Sequence, residues 1–153
     1  MQQIRYVIRW CTRADLPSII GLCAEHAAFE RASYDPTGKL VKLERAIFAD
    51  PPRLYCRVVE VDSEVIGYAT YTFDFSTWDA SVFLYLDCLY LKSKFRGEGI
   101  GEEIMRTIIT IAQESTCVNV QWQTPEFNVR AMKFYRRIGG VGQRKMRFLI
   151  GLH

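Results

Sequence analysis

The sequence predicts an α/β (α+β) fold: a mixed central sheet with helices on both faces, its elements in the order β-α-α-β-β-β-α-β-α-β. Three observations predict it. The run FLYLDCLYL, from Phe83 to Leu91, is almost wholly apolar, as a strand covered on both faces is. Behind a short basic stretch, three glycines (Gly97, Gly99, Gly101) fall within five residues, and a helical pattern starts at once. Upstream, two β-type runs separated by Asp62-Ser63 read as a hairpin. Antiparallel strands that pass into β-α-β-α-β call for a mixed sheet.

Taken in order, Ile4 to Cys11 alternates and is rich in β-branched and aromatic residues, which predicts a strand. Thr12 and Asp15 can cap a helix that starts there, and Pro17 is tolerated in its first turn. Leu16, Ile19, Ile20, Leu22, Cys23, Ala27 and Phe29 give a helical stripe to about residue 30. Ser33 to Gly38 is a turn-rich loop. Leu40, Leu43, Ala46, Ile47 and Phe48 predict a short second helix that stops before Pro51-Pro52. Strands follow over Leu54 to Val61 and Val65 to Phe75, with a loop from Phe75 to Ser81 and a strand from Phe83 to Leu91. The rest reads as a helix from about Gly99 to Glu114, a strand over Val118 to Gln123 and a helix over Asn128 to Ile138. Gly139-Gly140 stops that helix, and a closing strand is expected over Gln143 to Leu152.

A chain of 153 residues suits one domain, expected here over 1–153, and 49% apolar with 24% charged residues is ordinary for a soluble globular protein. Such a domain folds without disulfides or metal. Its five cysteines form no CxxC pair, and an odd number cannot all pair, so they read as reduced thiols, mostly in the core. Two histidines, His26 and His153, are too few and too far apart for a metal site. A net charge of +3 permits an anionic ligand but lacks the basic stripe of a nucleic-acid binder. The N-terminal MQQIRYVIRW lacks a signal-peptide core, and no apolar run reaches the roughly 18 residues that cross a membrane, so a cytoplasmic location is expected.

The glycine turn fails two phosphate motifs. A P-loop requires Lys and Ser/Thr where Glu102 and Glu103 stand, and a dinucleotide fingerprint requires glycine at Glu102. What remains is a strand-to-helix turn whose small residues let a ligand approach main-chain N–H groups at a helix N-terminus, which suits a pyrophosphate. Lys92, Lys94 and Arg96 add charge. The same glycines also serve merely to close a tight connection, and the composition leaves both readings open.

Arg96-Gly97-Glu98-Gly99-Ile100-Gly101 matches the R/Q-x-x-G-x-G/A motif of the GCN5-related N-acetyltransferases. RWCTRADLP, from Arg9 to Pro17, is similar to that superfamily's opening strand-to-helix turn. NVRAMKFYRRIG, from Asn128 to Gly139, resembles its closing segment. The motifs come in family order over nearly the full length. Within the superfamily the chain most resembles the diamine (spermidine/spermine N1-) acetyltransferases, with Asp87 where those carry Glu and Cys88 where they carry Asp.

The resemblance implies an acetyl-CoA-dependent N-acetyltransferase, with acetyl-CoA as donor cosubstrate, no metal, and direct transfer through a ternary complex to a primary amine of a small molecule. Candidates are a diamine or polyamine, a lysine-like amino acid or an amino-bearing antibiotic. Protein N-acetylation and non-catalytic acyl-CoA binding stand as alternatives. It further implies that a bulge splays the sheet and frees main-chain groups at Leu89, Tyr90 and Leu91 for the coenzyme's pantetheine. Arg96, Gly97, Glu98, Gly99, Ile100, Gly101 and Glu102 would take the pyrophosphate, and the Leu89 N–H would steady an oxyanion. Asn128 would bond pantetheine, although a helix N-cap is an equally good account of it.

An alkylammonium with pKa of about 10.4 must lose a proton before it attacks. Asp87, set in an apolar strand, is the candidate acceptor, directly or through water, against the plainer reading of an edge or solvent-facing polar residue that satisfies a neighbour. Tyr135 matches the family tyrosine that protonates the leaving thiolate; packing against Phe134 is its plainer reading. Glu25, Glu30, Tyr34 and Asp35 are candidates for the amine pocket. Tyr68, Tyr71, Phe73, Phe75 and Trp78 are candidates for a wall of the acceptor pocket but read first as cross-strand pairs and core; Trp122 reads as core; Arg130, Lys133, Arg136 and Arg137 are candidates for the CoA phosphates but read first as a solvated helix face. Cys88 is not expected to be a nucleophile, since no histidine is placed to activate it. A homodimer is expected by resemblance alone.

Overall fold

The computed structural model describes residues 2–153. The chain divides into two compact units, one up to Gln123 and one spanning Thr124–His153.

The first unit holds strands β1 (Val7–Trp10), β2 (Tyr55–Val61), β3 (Glu64–Ser76), β4 (Ser81–Leu91) and β5 (Val120–Gln121), and helices α1 (Leu16–Phe29), α2 (Lys39–Ile47) and α3 (Ile100–Glu114). The five strands form one sheet in sequence order. Only β4 and β5 run parallel, as a helical crossover between them requires. The β2–β3 turn is made by Asp62 and Ser63, both at positive φ (48° and 65°), which matches the twist of a tight hairpin. The β3–β4 connection is shorter than expected, because both strands extend to the turn, at Ser76 and Ser81.

Residues Leu16, Ile19 and Leu22 of α1 pack with Ile47 of α2 against Cys56, Val58, Tyr68 and Tyr90 of the sheet. β3 is buried without a break from Val65 to Tyr71, so both its faces are covered. α3 buries Ile100, Ile104, Met105, Ile108 and Ala112 outside that cluster, the spacing of one helical face. Cys11 and Cys56 lie in the core, and all five cysteines are free thiols.

A charged cluster fixes how α1 leaves β1. The Arg9 guanidinium donates two bonds to Asp15, at 2.7 and 2.9 Å, and another to Glu60 on β2 at 2.6 Å. The same Asp15 carboxylate accepts from the Thr12 N–H at 2.7 Å and from its hydroxyl. Asp15 therefore turns back onto the 3₁₀ turn Arg13–Asp15 and makes no side-chain cap on α1.

The second unit contains α4 (Val129–Arg137). Gly139, at φ 102°, ends it, with the Gly140 N–H bonding the Tyr135 carbonyl at 2.8 Å. The closing strand expected over Gln143 to Leu152 is not formed. That stretch has no regular structure, and Met146, Phe148, Leu149, Ile150 and Leu152 are all exposed. Its alternation is right for a strand, but a strand exists only against a neighbour's backbone, and none is paired there. No helix among the described residues is long and apolar enough to cross a membrane.

Candidate active site

The sheet opens beside β4. β5 pairs with β4 only at Leu84 and Tyr85, yet β4 runs on to Leu91. In the same strand the register against β3 jumps: Thr70 faces Cys88 while Tyr71 faces Leu86. Asp87 is thus an extra residue without a partner, the signature of a β-bulge.

The bulge inverts which main-chain groups face the opening. Before it, the Leu84 N–H bonds Asn119 beside β5; after it, the Lys92 N–H bonds Ile66 on β3. Successive peptides point to opposite sides, so Leu89 and Leu91 turn their N–H and C=O groups away from β3; the expectation that Tyr90 is freed with them is corrected, because Tyr90 turns its own groups toward β3. The Leu91 carbonyl accepts from Arg96 Nε at 2.9 Å on that outer side. β3 can come this close because Gly67 faces Leu91; a Cβ at Gly67 would strike the Leu91 side chain and sit 2.8 Å from the Tyr90 carbonyl.

Asp87 itself is exposed. The bulge lifts Asp87 out of the apolar alternation, so its carboxylate faces solvent, as its plainer reading has it, and carries no burial cost. Its neighbour Cys88 is half-buried, and burial, with Asp87 beside it, pushes the thiol up to about 12. Cys88 therefore stays protonated and unreactive near neutral pH.

After β4 comes a 3₁₀ turn, Ser93–Phe95, and then the glycine turn. Gly97 and Gly99 both adopt positive φ, 83° and 81°. Gly99 stands at the N-cap of α3, where no side chain caps the helix, and a Cβ added there would meet nothing within 4 Å. The N–H groups from Gly97 to Glu102 make no backbone bond within the described chain; the first helical bond goes from Glu103 to Gly99. Gly97, Glu98 and Gly99 are exposed, Gly101 and Glu102 half-buried, and Ile100 anchors the turn in the core. Glu102 is held by Arg106 at 2.7 Å, and Glu103 accepts from the Tyr6 hydroxyl. These donors suit an oxygen-rich anion, and the empty space over Gly99 admits one to the main chain.

Arg96, at the root of the turn, spreads its guanidinium over Phe29 and Tyr90, 4.5 and 5.1 Å from the ring centroids. Tyr90 also stacks on His26, centroids 5.2 Å apart and planes at 21°. His26 Nδ1 lies 2.9 Å from the Tyr68 hydroxyl and Nε2 lies 2.9 Å from Glu30. Sequence reasoning weighed His26 only as a metal ligand. The available signal was its i,i+4 spacing to Glu30 at the end of α1.

The other candidates divide. Glu30 stands at this cluster, whereas Asp35 binds the Thr37 N–H at 3.0 Å and is fully exposed. Tyr34 lies under the Lys39 ammonium. Tyr68 and Tyr71 are core, Tyr71 stacking on Tyr55, while Phe75 and Trp78 are exposed. Trp122 is half-buried, short of the core position expected, because β5 ends before it. A cleft of about 390 Å³ between Pro51, Pro52, Arg53, Tyr55, Thr72, Phe73 and Asp74 contains none of the candidate catalytic or coenzyme-binding residues. In the second unit, Asn128 caps α4 by accepting from the Ala131 N–H at 3.2 Å. Tyr135 lies on that helix, half-buried, its ring 5.3 Å from that of Phe134.

The model of the acetyltransferase (GNAT) family matches residues 5–140. The chain belongs to the GNAT family. As a GNAT protein it is an acetyl-CoA-dependent N-acetyltransferase. It is 30% identical over 141 residues to the thialysine N-epsilon-acetyltransferase of Bos taurus, covering 87% of this chain and 82% of that one. It is 28% identical to the human spermidine/spermine N(1)-acetyltransferase-like protein 1, over 89% of this chain and 20% of that much longer protein. The fold is shared with an aminoglycoside N-acetyltransferase solved in complex with CoA, at TM-score 0.80 and 17% identity, covering 99% of this chain and 98% of that one.

Proposed function

We propose that this GNAT enzyme acetylates the primary amine of a small cationic molecule, of the thialysine, lysine or diamine type, by direct attack of the amine on acetyl-CoA. The observation that carries the proposal is the bulge at Asp87. It sets an exposed carboxylate on the strand whose Leu89 and Leu91 main-chain groups face the gap left by β5.

In this reading the donors from Gly97 to Glu102, with Arg96 beside them, hold the coenzyme diphosphate, and the outer main-chain groups of Leu89 and Leu91 bond pantetheine. Asp87 attracts the ammonium and takes its proton, directly or through water, since an alkylammonium with pKa of about 10.4 is otherwise unreactive at neutral pH. The Leu89 N–H steadies negative charge on the acetyl oxygen. Tyr135 supplies a proton to the departing thiolate, and Asn128, while capping α4, offers a further polar contact to the coenzyme. The protein acts in the cytoplasm as a homodimer. The relatives named for thialysine and for spermidine and spermine support a small acceptor with a second charged group.

A thiol-release assay over thialysine, lysine, short diamines, spermidine, an aminoglycoside and a lysine-bearing peptide tests the acceptor class. The expected result is highest kcat/KM with thialysine or a diamine. Turnover of the peptide alone removes the small-amine reading.

A further inference from the structure

The cluster at the end of α1 has no part in the chemistry assigned above, yet it touches the residues that seat Arg96. His26 is wedged between Glu30 and the Tyr68 hydroxyl, both at 2.9 Å. Glu30, accepting from Nε2–H, fixes one tautomer, and Tyr68 then donates its O–H to Nδ1. The His26 ring so held is the platform for Tyr90, and Tyr90 with Phe29 forms the aromatic seat of Arg96.

We propose that His26 is a positioning residue for acetyl transfer: it locks the aromatic seat that aims Arg96 at the coenzyme turn. The inference rests on the acetyl-CoA reading above. The groups in contact with His26 are Glu30 at the C-cap of α1, Tyr68 on β3 and Tyr90 on β4, and it also feels the charges of Asp87 on β4 and of Arg96 beyond it. Burial holds the imidazole below its ordinary value; Glu30 and Asp87 pull it back up, and Arg96 pushes it down. An anion bound beside Arg96 cancels part of that cation's field, so binding of CoA raises the pH at which His26 titrates. By linkage, protonation of His26 favours the coenzyme in return.

The chain has two histidines, His26 and His153, so their imidazole carbon-bound proton signals are separable by NMR. The test titrates both with pH in the intact protein, with and without saturating CoA, while calorimetry on the same sample records binding. The expected result is an upward shift of the His26 midpoint on adding CoA. In parallel, His26→Leu raises the KM for acetyl-CoA about fivefold, the order of a partly desolvated cation–π contact, with kcat nearly unchanged. A residue serving only stability would lower the active fraction, and so the apparent kcat, and leave KM alone. If CoA binds by calorimetry while His26 titrates unchanged, or if the variant loses kcat at constant KM, the positioning role is overturned and the acetyl-CoA reading stands. If CoA does not bind at all, both fall.

Discussion

Asp87 and Tyr135 are two single residues on which the proposed chemistry turns, and they separate by experiment. Asp87→Asn keeps the shape and removes the negative charge. The expected outcome is a fall in kcat/KM for the amine on the order of 100-fold, the usual worth of a positioned base, with CoA affinity unchanged. Tyr135→Phe keeps the ring and removes the proton, so kcat falls while coenzyme affinity again holds. Steady-state kinetics beside calorimetry checks both, and unaltered turnover in either variant removes that residue from its role. Asp87 was legible as a lone carboxylate in an apolar run, and Tyr135 through the closing motif. His26 was not, because its meaning lies in Tyr68, Tyr90 and Arg96, which are distant in sequence and meet only when α1 packs on the sheet.

Among the elements, the hairpin of β2 and β3, the three helices of the first unit and the glycine turn were readable from periodicity and turn chemistry. The bulge was expected only through the family resemblance, near residues 89 to 91: one extra residue at Asp87 leaves no local mark, since register is settled by the neighbouring strand. The link from β1 to α1 was only half legible. Asp15 suggested a helix cap, yet it serves as the buried partner of Arg9, which also holds Glu60 on β2. The Arg9 bonds, helped by Thr12, hold the Asp15 carboxyl below its ordinary value despite burial. A carboxyl depressed in the folded state stabilises fully above its unfolded pKa of about 4 and loses that contribution as pH falls through the lower folded value. Asp15→Asn is therefore expected to lower stability by about 2 kcal/mol at neutral pH, discounted because Arg9 is partly exposed, and by less in acid. Urea unfolding of both proteins from pH 7 to pH 3 checks this. A penalty that persists undiminished at pH 3 contradicts it.

At the scale of the whole molecule, the sheet is antiparallel from β1 to β4 and parallel only between β4 and β5. That mixed α/β arrangement was legible in the order of strand and helix patterns along the chain. The final strand was not correctly read. Residues 143–152 have the right alternation, but alternation fixes which side chains share a face and not whether a partner edge is at hand. The architecture instead concentrates its unpaired main-chain groups where β5 stops short and at the N-terminus of α3, and in the proposed function coenzyme binding rests on the second of these. Calorimetric titration with CoA of the native protein and of Gly99→Val tests it most directly, since a branched side chain fills the open space over the turn and resists positive φ. The expected result is single-site binding to the native chain and a loss of roughly tenfold or more in the variant, with the fold intact by circular dichroism. Equal affinity in the two proteins, or no binding to the native one at high micromolar concentration, would contradict it.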